Sequence, residues 1–130
     1  MTLVLGKNKR GVIIMGEQSI LNTIKKMLGI DSDYTDFDTD IIVGINSSFA
    51  ILSQLGLDMT IGNNDLTISD SSAVWDDYLN NYENVNDVIS YVYLRVRLMF
   101  DPPSNSFLVK SIEDQIKELE WRINVAVDTE

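Results

Sequence analysis

Apolar residues recur every third or fourth position in four separate stretches of this chain, the spacing of helices that bury one face. The first stretch holds Ile20, Leu21, Ile24, Met27 and Leu28 and stops at Gly29, where a left-handed cap ends a helix. Lys25 and Lys26 fall in its last turn, where cations meet the negative end of the helix dipole. The second, Phe37, Ile41, Ile42, Ile45, Phe49, Leu52 and Leu55, runs to Gly56, with Asp36 and Asp38 placed to cap its positive end. The third begins near Asn84 to Asn86 and carries Val88, Ile89, Val92, Val96, Met99 and Phe100. Tyr91, Tyr93, Arg95 and Arg97 occupy its other faces, so it is expected to be buried on more than one side, and Asp101-Pro102-Pro103 stops it. The fourth is capped by Ser104 or Asn105 and repeats Leu108, Ile112, Ile116, Leu119 and Ile123, with Trp121 off that stripe. Glu113 with Lys117 and Glu118 with Arg122 are spaced as ion pairs along it.

Between the second and third helices the pattern changes. Met59-Thr60-Ile61 and Leu66-Thr67-Ile68 flank Gly62-Asn63-Asn64-Asp65, which predicts a short β-hairpin or a long ordered loop lying on the helices. Trp75 and Tyr78 are expected to anchor this excursion to the core. The fold class is therefore mainly α, a small bundle of about four helices with that insertion. Residues 1–14, which carry Lys7, Lys9 and Arg10 without helical or alternating periodicity, are expected to be an upstream or non-native extension, with Met15 as the natural start. Residues 15–130 read as a single domain with a mobile acidic C-terminal tail after Val125-Ala126-Val127.

Composition narrows the function. The chain has no cysteine and no histidine, which removes thiolate nucleophiles, zinc-thiolate sites and the commonest general base. No apolar run approaches the roughly 20 residues of a membrane-spanning helix. Ten cations stand against 20 acids, a formal charge of −10, and between Met27 and Leu94 every charged residue is acidic. Such a field repels phosphates and argues against nucleic-acid binding. Asp58, Asp65, Asp70, Asp76 and Asp77 form a candidate acidic face, whose plainest role is solubility.

No constellation makes an enzyme. The run Asp31, Asp33, Asp36, Asp38, Asp40 suggests a calcium loop, but the sixth and twelfth positions hold Asp36 and Ile42 where such a loop needs Gly and Glu. Asp76 and Asp77 are adjacent, so they diverge in any regular element and do not make a glycosidase pair. Phosphate-binding glycine loops and nucleophile elbows are missing from the sequence. Catalytic residues, metals and cofactors are therefore expected to be none.

Three segments carry a resemblance. They are Ile20-Leu21-Asn22-Thr23-Ile24-Lys25-Lys26-Met27-Leu28-Gly29-Ile30, the block from Tyr91 to Pro103 with Arg95, Arg97 and Phe100-Asp101-Pro102-Pro103, and Glu118-Leu119-Glu120-Trp121-Arg122-Ile123-Asn124-Val125. Together they resemble the head-tail connector, or adaptor, proteins of tailed bacteriophages, over residues from about Ser19 to Asp128. The resemblance implies a structural protein of the virion neck, held in the host cytoplasm before assembly. It implies a ring of about a dozen copies on the portal protein, extending the DNA channel and receiving the next neck or tail-completion protein. DNA would pass without sequence-specific binding, and an acidic lumen would let it slide. Arg95, Arg97, Trp121 and Arg122 are the expected interface residues, chosen by residue type. Other readings of the same composition are an acidic DNA-mimic inhibitor, another phage neck or tail-completion protein and, last, a metal-dependent hydrolase.

Overall fold

The computed structural model describes residues 17–59, 66–79 and 84–128. Within them lie five helices: α1 (Ile20–Met27), α2 (Asp38–Gln54), α3 (Asp76–Leu79), α4 (Val85–Phe100) and α5 (Ser106–Asp128). The four long ones stand on the four periodic stretches, so the chain is a small helical bundle. Residues 1–14, Met15, the Gly62-Asn63-Asn64-Asp65 turn and the last two residues lie outside the described residues. No strand occurs among the described residues; Met59 and Leu66–Ile68, the outer parts of the expected hairpin, are irregular.

Local chemistry sets the helix ends. Ser19 caps α1, its Oγ accepting the Asn22 N–H at 3.1 Å. At the other end Gly29 has φ +81°, and the Gly29 and Ile30 N–H groups bond back to the Lys26 and Lys25 carbonyls. Gly56, at φ +105°, closes α2 the same way, with Gly56 and Leu57 donating to Ser53 and Leu52. Of the two candidate caps for α5, Asn105 serves, accepting the Phe107 N–H at 2.7 Å. α4 ends at Phe100, before Pro102 and Pro103. The expected capping of α2 by Asp36 does not occur: Phe37 holds the cap position without a side-chain bond, and Asp38 stands in the first turn.

Asp38 has another engagement. Lys25, only 1% exposed, brings its Nζ to 2.8 Å from Asp38 Oδ1. That contact is an ion pair out of hydrogen-bonding line; the directed bonds of the ammonium go to the carbonyls of Ser32 at 3.1 Å and Tyr34 at 2.6 Å. One buried cation therefore ties the end of α1, the following loop and the start of α2.

The core is made by α4, packed on one side by α2 and on the other by α5. Val88, Ile89, Tyr91, Val92 and Val96 of α4 are buried, with Ile41, Ile45, Phe49 and Leu52 of α2 and Ile116, Leu119 and Ile123 of α5. Gly44 lets α2 and α4 approach closely, since a Cβ there would stand 3.1 Å from Val96 Cγ2. The excursion between α2 and α4 reaches into this core through Trp75, which is fully buried, meets Phe49 edge-on and donates from Nε1 to Thr23 Oγ1 at 3.4 Å. Tyr78 packs beside Phe49 and donates its hydroxyl to the Thr67 carbonyl at 2.7 Å. Asn46 holds Ile68 as a neighbouring strand would, donating to its carbonyl at 3.1 Å and accepting its N–H at 2.8 Å. The short α3 follows Val74, whose N–H is accepted by Asp77 at 3.1 Å.

α5 continues beyond Ile123 through Val125, Ala126 and Val127 to Asp128. Val127 lies against Gly56, and Asn124 donates to the Leu55 carbonyl at 3.0 Å, so the segment expected to lead into the tail is helical and joined to the end of α2.

Two substitutions test this account by urea denaturation. Lys25→Met keeps the buried volume but strands two carbonyls and Asp38, and is expected to lower stability by about 3 kcal/mol. Gly44→Leu is expected to cost about 1–3 kcal/mol by forcing α2 away from α4.

Candidate assembly interfaces

Among the described residues no three carboxylates gather as metal ligands, and no described helix is long and apolar enough to cross a membrane. The surface offers apolar patches instead.

The arginines expected at an interface are largely engaged within the subunit. Arg95 lays its guanidinium over the Tyr91 ring, 5.9 Å from the centroid, with Nε buried and unbonded. Arg97 donates from Nε to the Asp101 carbonyl at 2.8 Å, closing the end of α4, and reaches the Tyr93 hydroxyl at 3.3 Å. Neither has an ion pair among the described residues. Their contacts run along the helix instead, to aromatic neighbours at i−4 and, for Arg97, to the open carbonyl at i+4. Arg122 joins Glu118 at 2.7 Å and Asp87 at 3.5 Å, bridging α5 to α4. Its guanidinium is held above its ordinary pKa by the Glu118 hydrogen bond and then by the charge of Asp87.

Trp121 differs. It is 66% exposed on the outer face of α5, opposite the buried Ile116, Leu119 and Ile123. Lys117 and Val125 lie one turn to either side of it. The expected Glu113–Lys117 pair does not form; Lys110 takes Asp114 at 2.8 Å, and Lys117 has no ion pair among the described residues. At the start of α5, Phe107 is 85% exposed and Leu108 is also exposed.

A second apolar surface, not anticipated from the sequence, lies between α2 and α4. It is a groove of about 400 Å³ lined by Phe37, Val43, Gly44, Val96, Met99 and Phe100, with Asp40 at its edge. Val43 and Met99 are more than half exposed. Phe37 stacks edge-on against Phe100 at 5.1 Å and tilts against Tyr34 at 5.4 Å, so one end is walled by aromatic rings. The groove follows from Gly44: where a glycine brings two helices together, the side chains beside it must splay. A larger groove between α4 and α5, about 580 Å³, is rimmed by Ser90, Ser111, Gln115 and Glu118 and is mainly polar.

Of the candidate acidic face, Asp58, Asp70, Asp76 and Asp77 are exposed, and Asp65 lies outside the described residues. Two bonds from Ser72, the hydroxyl first and then the backbone N–H, hold the Asp70 carboxyl below its usual range. Asp77 is partly used in the turn before α3, as above. These residues surround the excursion rather than any pocket.

A family model described as Phage connector protein matches residues 20–130. No curated protein and no solved structure matches the chain.

One tie between α4 and α5 titrates. Tyr91, fully buried, donates its hydroxyl to Glu120 at 2.7 Å, and burial, then that bond and the carboxylate charge, push the phenol above its ordinary pKa. Above pH about 10 the unfolded chain sheds a proton that the folded chain keeps, so stability falls as pH rises, by up to about 1.4 kcal/mol per pH unit. Tyr91→Phe is expected to flatten this alkaline decline and to cost about 1 kcal/mol at neutral pH, read from urea unfolding at a series of pH values.

Proposed function

This chain belongs to the phage connector protein family, and we propose from that membership that it assembles as a ring on the portal of a tailed phage. The ring extends the DNA channel and receives the next neck or tail-completion protein. The observation that carries this reading is the family match over residues 20–130, which takes in all five helices. An exposed tryptophan on one helix and an apolar groove on another side support it, since exposed anchors and clefts of this kind are what protein partners bind. The acidic balance supports passage of DNA without adhesion, because a wall with few cations displaces few counterions from the phosphates, and that release is what drives non-specific binding. Asp58, Asp70, Asp76 and Asp77, exposed around the excursion, are the residues proposed to give that wall its charge. Interface roles fall differently on the four candidates. Trp121 makes contacts outward, whereas Arg95, Arg97 and Arg122 shape the surface by holding α4 and α5 in place.

Light scattering of the protein mixed with the portal ring of the same phage tests the reading. Binding in a copy number matched to the portal is the expected result. A protein that ignores the portal at micromolar concentration and low salt is not its connector.

A further inference from the structure

The exposed stripe of α5 and the α2–α4 groove lie on different sides of the molecule. On α4, Val96, Met99 and Phe100 line the groove, whereas Asp87, Ser90 and Leu94 face the cleft toward α5. At 3.6 residues per turn these sets sit on opposite sides of the helix. On α5, Lys117, Trp121 and Val125 point away from the buried face. One surface is therefore a knob and the other a hollow, and neither matches itself. Surfaces related in this way join copies head to tail, the arrangement that generates rings.

Charge fits the same pairing. A chain of formal charge −10 repels its own copies unless opposite charges meet where they touch. Asp40, at the groove edge, and Lys117, one turn from Trp121, each lack an ion pair among the described residues. The hollow suits an aromatic anchor: its volume is within the 300–1,000 Å³ of ordinary binding clefts, and Met99 gives it an adaptable wall. We infer that successive copies of this chain join by Trp121 of one entering the α2–α4 groove of the next, with Lys117 set against Asp40. The inference deepens the ring reading above and rests on it for closure of the array.

Because the chain has no cysteine, a designed pair reports this contact alone. Asp40→Cys and Lys117→Cys, both exposed positions, leave Trp121 and the apolar lining of the groove intact. The double variant, assembled on the portal and oxidised, is expected to give a ladder of covalent multimers beyond the dimer on a non-reducing gel. An equal mixture of the two single variants is expected to stop at a dimer containing one of each. Adding Trp121→Ala to the double variant is expected to reduce the cross-linked fraction at least tenfold. Portal binding without cross-links, cross-links only within a single variant, or a ladder indifferent to Trp121→Ala would each overturn the contact while leaving the connector reading in place. Should the protein ignore the portal, the connector reading fails by itself, and the contact is judged on concentrated free protein: a ladder sustains it and its absence overturns it.

Discussion

Everything in this structure is arranged around α4, which has to be covered on two sides at once. α2 covers one side at close range because Gly44 lets the helices meet at Val96, and α5 covers the other with Ile116, Leu119 and Ile123. A helix apolar on most of its faces cannot be satisfied by one neighbour. The excursion between α2 and α4 adds cover from a third direction, with Trp75 and Tyr78 inserted beside Phe49. Hydrophobic burial thus supplies the cohesion, and the polar contacts decide how the connections run.

Among those polar contacts, Lys25 carries an unusual share. The chain has no cation between Met27 and Leu94, so the acid-rich start of α2 depends on a lysine from α1 for its only described ion pair. Burying that ammonium is costly unless every donor is used, and two backbone carbonyls together with Asp38 meet that demand. Asp40 lies on the outer side of the same turn region and stays with the groove. Two carboxylates two residues apart have therefore been given different work by the direction of their side chains.

Much of the bundle was legible in the sequence because helical periodicity and end signals are local. Gly29 and Gly56 end helices where expected, Asn105 begins one, and Trp75 and Tyr78 are core anchors. Other features depend on what folds against them. Asp36 has the residue type of a cap, yet the loop reaching from Lys25 sets a different backbone course into α2. Asn46 reads as an ordinary polar position of α2, and only the returning chain at Ile68 makes it a strand surrogate. The arginines of α4 could be chosen as interface residues only by type, and the fold alone shows that aromatic residues one turn earlier engage them. The apolar groove was not legible at all, since Phe37, Val96 and Phe100 carry the same apolar signal as core residues. Trp121 was visible, because it departs from the stripe of its own helix.

The joining of the end of α5 to the end of α2, through Asn124 on Leu55 and Val127 on Gly56, bears on how the chain matures during synthesis. A ribosome delivers α1, α2 and the excursion well before α5, so these elements can collapse early around local contacts. The side of α4 that α5 will cover, including Tyr91 and Leu94, stays bare until the last helix emerges. Completion therefore waits for α5, which closes a long loop in one step. A nascent chain held in that interval would present an uncovered apolar helix face.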